Sequence, residues 1–245
     1  DAARLDFSAA PTTTTGEVQT VNYTYSSAAV DLDWLNDGET LTLTYVVTVA
    51  DNAGTGSSST TQNVVVTITG TNDAPDLSLQ AGDTEATTLI ESNIPLTDTG
   101  TLTVRDLDVN DDVTVTVASV TVLPATSYAG PNQPTNAELL AMLTIPGGAL
   151  AAELTDINNV AWTFDSSSLP TSFDFLGDNE TLILEYTVLA TDPAAPSATD
   201  THTVTVTING NNDAPVISVT AATTDADAAA LTENAAAPLV ASATL

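Results

Sequence analysis

The chain contains two copies of one long sequence pattern, and this repeat limits its possible folds more than any other feature. The segment DWLNDGETLTLTY at residues 33–45 recurs as DFLGDNETLILEY at 174–186, 141 positions later. Further along, VVVTITGTNDAP at 64–75 recurs as VTVTINGNNDAP at 204–215, at an offset of 140. A fixed period of this length indicates an array of similar domains.

The start of the repeat is also present twice. The segment LIESN at 89–93 resembles LTEN at 231–234, and each follows its own Asn-Asp-Ala-Pro motif at a similar distance. We therefore expect three parts: the C-terminal portion of one repeat at 1–75, a complete repeat at 76–215, and the N-terminal portion of the next at 216–245. The chain is expected to be an internal segment of a longer protein.

Apolar and polar residues alternate with period two inside each repeat, as half-buried strands require. The apolar positions of three such stretches are Leu41, Leu43, Tyr45, Val47 and Val49; Val113, Val115 and Val117; and Val204, Val206 and Ile208. Clusters of Asp, Asn, Gly and Pro separate the strands. The pattern predicts an all-β fold of tandem antiparallel Greek-key sandwiches. One segment, 136–143, has helix formers and a plausible N-cap, so we expect a short helical insertion there.

Charge excludes several function classes. The chain has 32 acidic and 2 basic residues, Arg4 and Arg105, and a formal net charge of −30. Such a surface repels nucleic acids and anionic lipids, because their binding depends on Lys and Arg. With 42% hydrophobic residues a core can still form. Carboxylates gathered at fixed repeat positions favour neutralisation by divalent cations.

Few side chains are suited to catalysis. Cysteine is absent and His202 is the single histidine, which excludes disulfides, thiolate sites and imidazole triads. No combination of nucleophile, base and orienting group is identifiable, so we predict a protein that is not an enzyme. No apolar run is long enough to span a membrane. Trp34, Trp162 and Tyr186 recur at repeat positions, where core packing explains them better than a sugar-binding platform.

Three motifs resemble the VCBS repeats of bacterial cell-surface proteins and, more distantly, cadherin repeats. They are the aromatic pair at Tyr23 and Tyr25, repeated at Trp162 and Phe164; the Glu-Thr-Leu strand that follows; and the closing Asn-Asp-Ala-Pro. The resemblance implies a secreted, extracellular protein of the bacterial surface. It is similar to the spacers of large RTX-type adhesins that type I systems secrete. Its partners would be neighbouring repeats, with a surface glycan or protein bound through other domains.

Similarity to cadherin-like arrays also implies Ca²⁺ at the domain junctions, held by oxygen ligands from two domains and their connector. The expected ligands at the first junction are Asp37, Glu39, Asp51, Asn72, Asp73, Asp106 and Asp108. Those at the second are Asp178, Glu180, Asp192, Asn212 and Asp213, joined by Glu91, whose counterpart in the next repeat is Glu233. Two alternatives stay open. Asn-Asp-Ala-Pro forms a good turn by itself, and the acidic run at 106–112 could be a solvated loop, since it lacks the Gly and Glu of an EF-hand.

The favoured function is therefore a calcium-stiffened spacer that projects a distal binding domain of a surface adhesin. A second hypothesis is a carbohydrate- or protein-binding module that uses the insertion at 123–158. A third is a subunit of an extracellular filament or matrix, formed by head-to-tail association of repeats.

Overall fold

The structure is a computed structural model that describes residues 5–8, 20–27, 30–50, 59–109, 111–123, 133–169, 173–193 and 198–215. The N-terminal unit contains β1 (Leu5–Phe7), β2 (Tyr23–Tyr25), β3 (Thr40–Ala50) and β4 (Ser59–Thr69). The next unit contains β5 (Asp76–Ser78), β6 (Ala86–Ile90), β7 (Thr97–Arg105), β8 (Asp112–Val122), α1 (Asn136–Met142), β9 (Leu143–Thr144), β10 (Ala149–Ala151), β11 (Val160–Asp165), β12 (Thr181–Thr191) and β13 (Thr199–Asn209).

Strands β5 to β13 form two facing sheets. One has the order β10-β8-β12-β13-β6 and the other β5-β7-β11-β9. Neighbours such as β7 and β11, or β8 and β12, are distant in sequence, so the chain crosses between sheets as in a Greek key. The predicted all-β sandwich is confirmed. The antiparallel prediction is wrong for one pair, since β6 lies parallel to β13, with Thr205 opposite Ala86 and Asn209 opposite Ile90.

The alternating pattern places one row of side chains between the sheets. In β12 the residues Leu182, Leu184, Tyr186, Val188 and Ala190 are fully buried, and their neighbours lie on the outer face. In β13, Val204, Val206 and Ile208 are buried likewise. Burying each large aliphatic or aromatic side chain stabilises the fold by roughly 1.5–3 kcal/mol. This core holds the sandwich together and fixes the positions of the loops at both of its ends.

The N-terminal unit repeats four strands of this sandwich. Strands β1 and β2 pair with Leu5 opposite Tyr25, as β9 and β11 pair with Leu143 opposite Phe164. The hairpin β3–β4 corresponds to β12–β13. The rings of Tyr25 and Tyr45 are 6.3 Å apart, and those of Phe164 and Tyr186 are 6.4 Å apart. The sequence repeat is therefore a structural repeat. The proposed domain boundaries themselves remain predictions.

The predicted helix is confirmed and belongs to the core. Its N-cap is Thr135, whose side chain accepts a hydrogen bond from the Glu138 amide while the Glu138 carboxylate accepts one from the Thr135 amide. Leu139 and Met142 are fully buried against the sheets. The hydroxyl of Tyr186 donates to the carbonyl oxygen of Leu139 at 2.8 Å. The described part of the insertion therefore completes the hydrophobic core.

The structure also shows the burial and the contacts of the recurring aromatic residues and of His202. Trp162 is buried, and its Nε1 donates to the carbonyl oxygen of Thr84 at 2.9 Å. Trp34 is 40% exposed, so the core interpretation is wrong for this residue. His202 lies on β13 with Nε2 2.7 Å from Glu85 Oε2, and is half-buried. Within the described ranges, no helix is long and apolar enough to cross a membrane.

Candidate metal site

Four aspartates gather at the end of the sandwich that faces the N-terminal unit. Asp106 and Asp108 follow β7, Asp111 precedes β8, and Asp192 follows β12. Strands β8 and β12 are antiparallel neighbours with Thr114 opposite Thr191. The loop before β8 and the loop after β12 therefore lie at the same end of the sheet. Carboxylate oxygens of Asp108, Asp111 and Asp192 all lie within 4.8 Å of one another.

The N-terminal unit contributes to the same site from the other side. Asn36 donates its Nδ2 hydrogen to Asp111 Oδ1 at 2.7 Å. The backbone amide of Asp73, in the connector between the units, donates to Asp108 Oδ2 at 2.8 Å. The carboxylates therefore lie at the junction of two consecutive units and contact both the turn before β3 and the connector.

These acidic side chains are buried. Asp106, Asp108 and Asp192 are 2%, 1% and 0% exposed. The interpretation of the 106–112 run as a solvated loop is therefore wrong for Asp106 and Asp108. Several oxygens at the site are buried without a hydrogen-bond partner among the described residues: Asn36 Oδ1, Asn72 Oδ1, Asp106 Oδ2, Asp108 Oδ1 and Asp111 Oδ2. Buried polar oxygens without partners are costly, and a hard cation takes oxygens of this kind as ligands.

The electrostatics of the site favour a cation. Burial, followed by the charges of Asp192 and Asp108, raises the pKa of Asp106 to about 6. Burial and nearby carboxylates likewise raise the pKa of Asp108 and of Asp111. Of the two basic residues, Arg105 donates its Nε hydrogen to the carbonyl oxygen of Asp156, and Arg4 lies outside the described residues. The described residues thus place no cationic side chain in hydrogen-bond contact with these carboxylates.

A second acidic group lies at the opposite end of the sandwich. Glu91 follows β6, Asp174 lies in the turn region before β12, and Asp213 follows β13. Glu91 is 1% exposed, and both of its carboxylate oxygens lack a hydrogen-bond partner among the described residues, as does Asp174 Oδ1. Burial, followed by the charges of Asp213 and Asp174, raises the pKa of Glu91. The second junction therefore has its own carboxylates on the described side.

The two copies of the turn before the long hairpin have a structural role. The Glu39 and Glu180 carboxylates accept hydrogen bonds from the amides of Asn36 at 3.3 Å and of Gly177 at 2.8 Å. In each turn the residue before the Glu has a positive φ, 72° at Gly38 and 68° at Asn179. Because these glutamates bind their own turns, the structure does not bring them into the cluster.

The neighbouring predicted ligands Asp37 and Asp178 are exposed. Asp37 still acts on the junction, since its charge is one cause of the raised pKa of Asp111. Asp178 accepts a hydrogen bond from Asn179.

The predicted assignment of Asp192 to the second junction is wrong. Glu180 precedes β12 and Asp192 follows it, and the strand has 11 residues. At about 3.4 Å per residue, the two ends of β12 are roughly 35 Å apart. Asp192 instead joins Asp108 and Asp111 at the first junction. Asp51, its counterpart in the first repeat, and Glu233 lie outside the described residues.

The connector motifs follow the last strand of each unit without forming a turn. Asn72 Nδ2 donates to the carbonyl oxygen of Asp73 at 2.6 Å, and Asn212 repeats this contact with Asp213 at 3.2 Å. The structure has no turn or bend at 71–75 or at 211–215, so the turn interpretation of Asn-Asp-Ala-Pro is wrong, and Asn72 Oδ1 is buried without a hydrogen-bond partner among the described residues.

A glycine precedes each connector because a side chain would not fit. A Cβ on Gly70 would lie 2.2 Å from the Leu35 carbonyl oxygen, and one on Gly210 would lie 2.3 Å from that of Gly177.

Three residues of these sites were not among the predicted ligands. Asp111 lies in an acidic run, and sequence alone does not show which carboxylates of such a run point into the protein. Asn36 and Asp174 lie in the repeated 33–45 and 174–186 segments, so the repeat itself was the available signal. Asn36 aligns with Gly177, and the two junctions therefore differ by one side-chain donor.

The solved structures compared with the chain here are remote likenesses. No protein-family model and no curated protein matches the chain. Among solved structures, the PapD-like domain 7 of human CEP192 is similar over 58% of this chain and 89% of its own, with 13% identity and a TM-score of 0.33. The extracellular cadherin domains 1–5 of protocadherin gamma B2 are similar over 81% of this chain and 31% of theirs, with 15% identity and a TM-score of 0.37. Likeness at this level assigns no function.

Proposed function

We propose that the chain is a calcium-stiffened spacer of a secreted bacterial surface adhesin, in which Ca²⁺ binds between consecutive repeats. The observation that carries the proposal is the set of buried oxygens at the first junction that lack hydrogen-bond partners and come from both units and their connector. An ion that binds ligands on both units restrains the angle between them. A row of such junctions makes a stiff stalk.

The donor set fits calcium better than other common metals. The gathered groups are carboxylate and amide oxygens, which suit hard cations, whereas zinc and copper sites use His and Cys. Calcium takes six to eight oxygens in a flexible arrangement. Magnesium requires a small octahedron and retains water, so it is a poorer match for a site with many protein oxygens. Asp106, Asp108, Asp111, Asp192, Asn36 and Asn72 would hold the ion.

The remaining parts of the proposal rest on the sequence. Resemblance of the motifs to VCBS repeats supports a bacterial, extracellular protein and an adhesin stalk. Burial of Leu139 and Met142 supports a structural role for the insertion over a ligand-binding one. That the chain is not an enzyme stays a prediction.

Calorimetric titration of Ca²⁺ into the chelator-treated chain tests the proposal. We expect saturable binding that weakens at least tenfold in Asp108→Asn, which removes a buried charge but keeps the shape of the side chain. Glu185→Gln is the matched control, because Glu185 lies in the middle of β12, away from both acidic groups. Wild-type protein that binds no calcium, or equal weakening in both variants, would contradict the proposal.

A further inference from the structure

The pairing of β6 with β13 joins the beginning of the complete sandwich to its end. Residues 86–90 of β6 lie parallel to residues 205–209 of β13. Two more backbone hydrogen bonds extend this ladder at 2.7 Å: the Thr205 amide donates to the Glu85 carbonyl oxygen, and the Glu91 amide donates to that of Asn209. Because β6 lies at the edge of its sheet, the ladder is what attaches it there.

Both strands run from the first junction towards the second. β13 begins at Thr199, opposite Thr191 and close to the carboxylates of the first junction. It ends at Asn209, opposite Thr181, at the second junction. A pull along the stalk reaches β6 from its N-terminal side, through the connector at 70–75, and reaches β13 from its C-terminal side, through the connector at 210–215. The two strands are therefore pulled in opposite directions along their common axis.

This geometry loads the ladder in shear. The hydrogen bonds of a parallel ladder are evenly spaced, so a pull along the strands is shared by all of them. A pull across the strands at one end breaks the same bonds one after another. Forced unfolding is governed by the unfolding rate, and the barrier to unfolding is higher when several bonds must break in one step.

Strand β5, which follows the connector, is anchored to both sheets. It pairs antiparallel with β7, with Asp76 opposite Arg105. The Leu77 side chain is buried in the core, and the Leu77 amide donates to Asp200 Oδ2, on β13, at 2.8 Å. The chain is therefore fixed to the sandwich directly after it leaves the first junction.

The loop between β5 and β6 has its own anchor. The Asp83 carboxylate accepts hydrogen bonds from the hydroxyls of Thr101 and Thr103 on β7, at 2.8 and 2.7 Å. The Thr84 amide donates to the Thr101 carbonyl oxygen at 3.0 Å. The Thr84 carbonyl oxygen accepts a hydrogen bond from Trp162 Nε1 at 2.9 Å. These contacts hold the loop against the sheet between the two strands.

We propose that residues 76–91 form a strap that bears tension along the stalk, and that the β6–β13 ladder must be sheared before the sandwich opens. This inference rests on the proposed function, because it takes the two connectors as the points of load. The direction of β6 is decisive. An antiparallel β6 would place its N-terminal end beside the C-terminal end of β13, and the same pull would peel it off.

Single-molecule pulling on the full chain in calcium tests the proposal. The chain has no cysteine, so two introduced cysteines define the points of attachment, and Ala74, Asn93 and Ala214 are exposed. Ala74→Cys with Ala214→Cys pulls along the stalk, through equivalent positions of the two connectors. Asn93→Cys with Ala214→Cys pulls at the neighbouring ends of β6 and β13 and peels the ladder. At equal loading rate, the first pair should unfold the sandwich at a force at least about twofold higher than the second.

Proline variants test whether the ladder itself bears the load. Alternation along a parallel ladder directs the Thr87 amide to β13 and the Thr88 amide away from it. Thr87→Pro should lower the unfolding force along the stalk by about a sixth or more, because the ladder has about six hydrogen bonds. Thr88→Pro is the matched control and should leave the force unchanged, since proline is tolerated on the open side of an edge strand. Thr87→Val controls for the lost hydroxyl contact with Asp98.

Two results would overturn the proposal. Equal unfolding forces in the two pulling directions show that the ladder is not loaded in shear. A Thr88→Pro variant weakened as much as Thr87→Pro shows that the ladder does not carry the load. All forces are compared at one calcium concentration, so either result leaves the calorimetric test of calcium binding unaffected, and a chain that binds no calcium contradicts the spacer without changing the force ratio.

Discussion

Neutralising Asp111 should stabilise the chain without calcium, and most of that advantage should be lost with calcium. Its carboxylate lies within 4.8 Å of those of Asp108 and Asp192. At that separation each pair of charges repels by about 0.9 kcal/mol in the dielectric of water and by about 3.5 kcal/mol at an effective dielectric constant of 20. Asp111→Asn keeps an oxygen that can accept the hydrogen bond from Asn36 and removes both repulsions. In chelator at pH 8, the variant should be more stable than wild type by about 1–3 kcal/mol.

In calcium most of this advantage should be lost. An ion that binds only the folded state adds about 2.7 kcal/mol at a hundredfold excess over Kd, and the variant loses part of this gain together with a ligand charge. Thermal melts measure both effects, at about 2–4 °C for each kcal/mol in a chain of this size. Glu185→Gln, the control, should change neither melt. A variant that is destabilised in both media would refute the reasoning, because repulsion would then not be what calcium relieves.

Further predictions concern titration and packing. In the calcium-free protein, the raised pKa of Asp106, about 6 in the folded state, adds stability that is fully present below pH 4 and is lost as the pH rises through 6, about 3 kcal/mol in all. Denaturant titrations from pH 4 to 7 should show a loss of stability in wild type that is smaller by this amount in Asp106→Asn, where Asp108, Asp111 and Glu91 still contribute. Tyr186→Phe leaves the Leu139 carbonyl without its buried donor and should cost about 1–2 kcal/mol in urea unfolding. Tyr45→Phe, whose hydroxyl has no partner among the described residues, should cost almost nothing, and equal costs would contradict the assigned contact. Gly210→Ala should cost at least about 2 kcal/mol because its Cβ meets backbone oxygen, whereas Gly147→Ala, with open space around it, should stay within about 0.5 kcal/mol.

The fold could be predicted because its signals are local or repeated. The alternation of apolar and polar residues predicts β12 and β13 and their inner faces. Comparison of the sequence with itself identifies the repeat without an alignment to any other protein. Helix α1 is predicted by its helix-forming residues and the capping residue before them. No comparable sequence signal predicts that β6 pairs in parallel with β13, because side chains alternate with period two in parallel and antiparallel strands alike.

The site was only partly predictable because carboxylates near in sequence can be far apart in space. Glu180 and Asp192 are separated by the length of β12, while Asp108 and Asp192 meet through the pairing of β8 with β12. Only the topology decides which acids share a junction. The burial of Asp106 and Asp108 was likewise not predictable, because in sequence both resemble residues of a solvated loop. For Trp34 the error is the opposite. Its recurring aromatic position predicts burial, but its side chain is exposed.

Small-angle scattering with and without chelator tests the central claim most directly. With calcium, the full chain should behave as a stiff particle with one maximum dimension, and chelator should make the first junction a flexible hinge and broaden the distance distribution. The double variant Asp108→Asn with Asp111→Asn should show the chelated profile even in calcium, and Glu185→Gln should match wild type. If chelator leaves the maximum dimension and the distribution unchanged, calcium does not stiffen the junction.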